Sequence, residues 1–305
     1  MKNIHKQLGL CFFSFMLLDS ALAQQDFSSV EIQTTPINGG YSVLYGAGGN
    51  IGVFVGSEGI ILIDDQFAPL SGRINEAIDR ISNLDIKFLI NTHWHGDHTG
   101  GNENFAADGA VIVAHEYVRR RMSMEVFLPL YNSRTQPSPI SALPSVTFLE
   151  DISFHWDGET ITAIHVPNAH TDTDAFVHFA NANIIHMGDL LWTNSYPRID
   201  VQYGGGSVNG YIAAIGKSLE LADENTQFIS GHGPIPEQGR RYVENYLLML
   251  RTVRDRVNGM IADGMSEMEI IRARPTSEFD SEWVDEFSYI DADMFTRIMY
   301  ISLSQ

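Results

Sequence analysis

Apolar positions along this chain fall first into short runs and later onto helical stripes. Between Val30 and Asp65 the runs 41–45, 51–55 and 60–63 are rich in β-branched and aromatic residues. Gly46, Gly48-Gly49-Asn50 and Ser57-Glu58-Gly59 separate them, so they read as strands joined by turns. From Ser71, the residues Ile74, Ala77, Ile78 and Ile81 recur at helical spacing. Residues 86–90 and 110–114 predict further strands, and 116–122 a helix. The proline-bearing stretch 129–144 predicts a long exposed loop, of the kind that often borders an active site. Strands resume at 146–149, 152–156, 161–166, 175–179 and 184–187. A helix over 208–222 carries Ile212, Ile215 and Leu219 on one face. After a short strand at 227–230, a long helix over 237–262 buries Val243, Leu247, Leu250, Val257 and Ile261. Shorter helices are expected over 266–272 and 293–302. Two successive β-rich blocks, each followed by helices and without a fixed short repeat, predict a mixed α and β chain.

The chemistry is concentrated behind the strand at 86–90, in Asn91-Thr92-His93-Trp94-His95-Gly96-Asp97-His98-Thr99-Gly100-Gly101. A single histidine is ordinarily structural or exposed, but three with an aspartate inside six positions make a ligand pattern. Imidazole and carboxylate suit zinc and similar divalent ions. Period-two alternation can turn His93 and His95 to the same side, and the glycines let the backbone fold back. One ion cannot easily take all four groups from so short a segment; two adjacent ions can. Three more ligand-type residues stand just beyond strands, each with glycine or proline close by: His170 in Pro167–Asp174, Asp189 in His186–Leu190, and His232 in Ser230–Pro234.

His93-x-His95-x-Asp97-His98 resembles the signature of the metallo-β-lactamase-fold hydrolases. That resemblance implies an α/β (α+β) fold, a four-layer αββα sandwich, over residues 24–305 as one domain with a C-terminal helical extension. It implies two divalent ions, zinc first, with manganese or iron as alternatives. His93, His95 and His170 would hold one, and Asp97, His98 and His232 the other, with Asp189 bridging. The reaction implied is attack on an ester, lactone, thioester or amide-type carbonyl by a hydroxide shared between the ions. Asp97 is expected to orient that group and take its proton, and Asn194 and Tyr196 to meet the substrate. Asp64, at the end of the strand 60–63, is the candidate for orienting a ligand, ahead of Asp65. His115, His155, His165, His178 and His186 are expected to be structural, with His115, at a strand's end, the one to watch.

Three rival readings follow. β-Lactam hydrolysis is disfavoured by Asp189 and by Trp192, since several secreted lactamases resemble this chain except for a cysteine and a lysine there. A glyoxalase-II-like thioesterase fits the ligands, but the acidic stretch 278–293 is a poor surface for anionic glutathione. An iron redox enzyme of the flavodiiron type would place a glutamate at His95 and add a flavin domain.

Composition adds compartment and partners. Residues 1–23 read as a signal peptide, with Lys2 and Lys6, an apolar core over 8–18 and Ala21-Leu22-Ala23 as the cleavage pattern. The core is shorter than the about 20 residues of a membrane span. The mature chain is therefore expected in the periplasm or outside the cell, without a membrane anchor. Cys11 is the only cysteine and lies inside that segment, so neither disulfide nor thiol chemistry is available afterwards. Without residues 1–23 the chain keeps 17 basic and 37 acidic residues, a balance of −20. That opposes nucleic acid and anionic membranes, and leaves a small molecule as the expected partner. At 44% apolar residues the chain can bury a full core.

Overall fold

The computed structural model describes residues 26–128, 133–284 and 290–305. The leader expected over 1–23 lies outside them. Seven strands form the first sheet: β1 (Gln33–Pro36), β2 (Tyr41–Tyr45), β3 (Ile51–Gly56), β4 (Gly59–Ile63), β5 (Ile86–Ile90), β6 (Val111–His115) and, after a small hairpin of β7 (Val126–Leu128) and β8 (Ser133–Thr135), β9 (Val146–Phe148). The second sheet is β10 (Asp151–Trp156), β11 (Glu159–His165), β12 (Ala175–Phe179), β13 (Ile184–His186) and β14 (Gln227–Ile229), in that order. Each sheet begins as an antiparallel meander and ends in parallel pairs: β4 with β5, β5 with β6 and β6 with β9 in the first, β13 with β14 in the second. The helices are α1 (Ser71–Asp79), α2 (Gly96–Thr99), α3 (Asn102–Ala107), α4 (Glu116–Met122), α5 (Val208–Glu220), α6 (Gly239–Ala262), α7 (Glu267–Ala273), α8 (Asp280–Trp283) and α9 (Ala292–Leu303).

Alternation along the strands builds the layers. Ile61 and Ile63 of β4 point into a core shared with Ile161, Val177, Phe179 and Ile184 of the second sheet. Ile60 and Leu62, one residue out of phase, pack outward with Ile74 and Ile78 of α1 and Phe105 of α3. A strand covered on both faces reads as a continuous apolar run, and all five residues of β4 are buried. The outer face of the second sheet, through Phe176, Ile185 and Phe228, packs with Tyr211 and Ile215 of α5, Val243 and Leu250 of α6 and Phe295 of α9. The result is the αββα sandwich expected from the resemblance.

One local expectation needs correction, and two short helices are added to the sequence reading. Residues 129–132 of the stretch 129–144 lie outside the described residues, and the remainder is not loop throughout: Ser133–Thr135 pairs antiparallel with Val126–Leu128, and Ile140–Ala142 forms a 3₁₀ turn. Pairing satisfies backbone groups that a loop would leave to water. Two short helices, α2 and α3, follow the histidine loop where no apolar stripe announced them. The helix expected over 266–272 is present as α7, capped by Ser266, whose hydroxyl and backbone exchange hydrogen bonds with Glu269, an S-x-x-E capping box.

Candidate metal centre

The centre lies at the ends of strands from both sheets. From the first sheet, β5 runs into Asn91 and the histidine loop. Asn91 and Asn102 exchange reciprocal amide hydrogen bonds of 3.0 and 2.9 Å, and Asn91 also donates to the His98 carbonyl. This buried pair closes the loop on α3. From the second sheet come His170 between β11 and β12, Asp189 in a 3₁₀ turn after β13, and His232 just after β14.

These elements bring seven side chains into two clusters. His93, His95, His170 and Asp189 form one, and Asp97, His98 and His232 the other, each with its donor atoms within 4.8 Å of one another. In the first, His95 Nδ1 lies 3.1 Å from His93 Nε2 and 2.9 Å from His170 Nε2. Asp189 joins the two. Its Oδ2 is 3.8 Å from His93 Nε2 and 3.4 Å from His170 Nε2, and its Oδ1 is 3.0 Å from His98 Nε2 and 3.2 Å from His232 Nε2. Although Oδ1 is that close to two rings, neither contact has hydrogen-bond geometry, and Oδ1 counts as a buried atom without a partner. Lone pairs that converge on a point instead of on each other are what a cation fits.

The far side of each ring is engaged as well. The Nδ1–H of His98 donates to Asp64 Oδ2 at 2.8 Å, the Nδ1–H of His170 to the Arg198 carbonyl at 2.7 Å, and the Nε2–H of His95 to Asp200 Oδ2 at 3.3 Å. The Nδ1–H of His93 meets Thr92 Oγ1 at 3.1 Å, and that hydroxyl donates to Asp64 at 2.7 Å. Each contact fixes the tautomer that frees the inward nitrogen. His232 is held differently: the Trp192 ring stacks on it at 4.1 Å and 23°. Asp189 is anchored from behind, its carbonyl accepting from the Tyr211 hydroxyl, which contacts the Tyr246 hydroxyl at 3.0 Å. Gly231 permits the close approach, since a Cβ there would lie 2.5 Å from Asp189 Oδ1.

Charge follows the same division. Burial drives His93 well below its ordinary value, and His170 down to about 3. Burial also opposes charge on His98 and His232. The carboxylates around them, Asp189 first, outweigh it, raising His98 well above the usual value and His232 to about 9. Burial likewise opposes ionisation of Asp97 and Asp189, but the facing rings hold both carboxyls below the usual range. An imidazole binds a metal only in its unprotonated form, so metal binding by His98 and His232 would be coupled to proton release.

The structure separates the remaining candidates. Asp64 touches His98, whereas Asp65 accepts from the Gly101 backbone, and burial raises its carboxyl. Tyr196 is not brought to the centre. It is fully buried, stacked on Phe295 at 4.5 Å, and its hydroxyl donates to Asp280 at 3.0 Å. Asn194 is exposed at φ +58°, its backbone N–H donating to the Tyr242 hydroxyl. His115 stacks on His165 at 3.6 Å and donates to the Leu149 carbonyl, and His186 contacts the Tyr41 hydroxyl at 2.7 Å. Asp200 and Tyr211 carry no motif of their own, so pattern reading passes over them.

Comparison with known proteins fits this geometry. The sequence profile described as Metallo-beta-lactamase superfamily matches residues 44–232. The lactamase-like protein aptB of Emericella nidulans is 24% identical over 166 residues, 53% of this chain and 44% of that protein. The 2,4-dinitroanisole O-demethylase subunit alpha of a Nocardioides species is 28% identical over 143 residues, 45% of this chain and 40% of that protein. The matched stretch spans less than half the length of these relatives. A metallo-beta-lactamase structure from Pontibacter korlensis superimposes with a TM-score of 0.57 at 19% identity, covering 72% of this chain and 99% of that one.

Proposed function

The chain belongs to the metallo-beta-lactamase superfamily, and from that premise we propose that it is an exported dinuclear metal-dependent hydrolase acting on an ester, lactone, thioester or amide-type carbonyl. One observation carries the reading: two clusters of ligand atoms share the two oxygens of Asp189. Divalent ions bound there would lower the pKa of water from about 15.7 to about 7 and polarise a carbonyl oxygen.

The protein's own groups supply the rest. His93, His95, His170 and Asp189 would hold one ion, and Asp97, His98, His232 and Asp189 the other, with zinc the first choice by ligand type. Asp97 keeps more contact with solvent than Asp189, its side chain 27% exposed against 3%. Its low-lying carboxyl is ionised at neutral pH, so it is placed to accept a proton from an attacking water. Export rests on the leader pattern of residues 1–23, and a small-molecule substrate on the acidic surface. Among the described residues no helix is long and apolar enough to cross a membrane.

The test is a panel of chromogenic ester, lactone, thioester and cephalosporin substrates. It would be run on chelator-stripped protein reloaded in turn with zinc, manganese or iron. Hydrolysis of acyl substrates by the zinc or manganese form, abolished by chelation, is expected. Turnover confined to the cephalosporin would move the assignment to β-lactam hydrolysis. Oxygen consumption by the iron form alone would move it to redox chemistry. No tightly held ion in the native protein would end the reading.

A further inference from the structure

A cavity of about 460 Å³ lies between the chain segment 198–203 and helices α7 and α9. That is within the range of about 300–1,000 Å³ usual for small-molecule sites. The apolar part of its wall is aliphatic and thioether, with Ile199, Met268, Ile271, Met294, Ile298 and Ile301, and Asp291 and Asp293 stand in the same wall. None of these residues belongs to the metal clusters, yet the segment 198–203 is shared. Asp200 lines the cavity and contacts His95 Nε2 at 3.3 Å, and Arg198 lines it and accepts from His170 Nδ1 through its carbonyl. Among the described residues the Arg198 side chain has no hydrogen bond or ion pair, whereas Arg297 in the same wall is held by Glu267 at 2.8 Å.

The methionines of this wall adapt to a flexible chain, and a guanidinium that no described residue engages presents a planar donor set to a carbonyl or carboxylate. We propose that this cavity receives the apolar acyl chain of the substrate, with Arg198 meeting its polar end on the side of the ligand histidines. The proposal rests on the hydrolase reading above and narrows it to medium-chain acyl compounds. Each methylene taken from water into such a wall strengthens binding on the order of fourfold.

The experiment compares the zinc-loaded native protein with Met294→Trp and Arg198→Gln. Met294 is 46% exposed, so a larger side chain there enters the cavity without disturbing the packing of its buried neighbour Phe295. Two readouts are taken: kcat/KM on 4-nitrophenyl esters from acetate to decanoate, and decanoate binding by calorimetry. The native protein is expected to prefer decanoate to acetate. Met294→Trp should lower that preference at least tenfold, and Arg198→Gln should weaken decanoate binding several-fold. If esters are cleaved with the same chain-length profile in native protein and Met294→Trp, the cavity assignment falls and the hydrolase reading stands. If no ester is cleaved but decanoate binding drops tenfold in Met294→Trp, the cavity stands and the hydrolase reading falls. Equal decanoate binding by all three proteins overturns the proposal.

Discussion

Asp64→Asn isolates how a buried carboxylate fixes one ligand. Asp64 is fully buried and accepts three hydrogen bonds: from Thr92 N at 2.7 Å, Thr92 Oγ1 at 2.7 Å and His98 Nδ1 at 2.8 Å. Its φ of +61° is a conformation asparagine also adopts readily, so the substitution leaves the backbone unstrained. Neither orientation of the new amide fits. Turned one way, its NH₂ faces the peptide N–H of Thr92. Turned the other way, it faces His98 Nδ1 and favours the tautomer with the proton on Nε2, the nitrogen that faces Asp189 and His232. The lost charge-assisted hydrogen bond is worth about 1.5–3 kcal/mol. Loss of such an outer partner lowers metal affinity about 10- to 100-fold, or about 1.4–2.7 kcal/mol. Urea unfolding of stripped protein reads the first quantity, and competition with a chromophoric chelator reads the second. Native affinity for both ions together with native stability would refute the reasoning.

Three other outcomes are expected. In Gly49→Ala the new Cβ would stand 2.1 Å from His98 Cε1. Ring displacement of that order should reduce activity about a hundredfold and leave one ion bound by elemental analysis; two bound ions would contradict this. Asp200→Asn acts on His95 through a longer contact, 3.3 Å against 2.8 Å for Asp64 on His98. It should cost less metal affinity than Asp64→Asn in the same chelator competition, and a larger loss would reverse the ranking. Burial holds His186 at about 4, below its unfolded value of 6.5. The unfolded chain therefore binds the proton more readily, and stability present above pH 6.5 is lost as pH falls towards about 4, by about 3 kcal/mol. Urea midpoints of stripped protein should show that loss reduced in His186→Leu, and parallel pH profiles would count against it.

What could be read in advance depended on how local the signal was. The seven side chains of the two clusters stand on the segments that follow strands, and strand ends announce themselves through apolar runs that stop. Asp64 was legible for the same reason, since it closes a strand of four consecutive apolar residues. Tyr196 lies close to Asp189 along the chain but not in space. Behind the 3₁₀ turn the backbone leaves the centre and places the ring under α9, against Phe295. The contact of Asp200 with His95 spans 105 residues, and that of Tyr211 with Asp189 spans 22. Contacts of that kind depend on how two sheets and a helix layer meet, and no period in the sequence encodes them. The cavity behind residues 198–203 is invisible for the same reason: its wall draws on three separated segments whose apolar residues each look like ordinary core.

Neither sheet owns a complete set of ligands. The first supplies His93, His95, Asp97 and His98, and the second supplies His170, Asp189 and His232. A nascent chain with one sheet built and the other still loose would therefore grip an ion weakly at best. Loading would wait on assembly, and ions once bound would act as rivets against sliding of one half over the other. Tight retention of metal would then serve the molecule as its own certificate of correct folding.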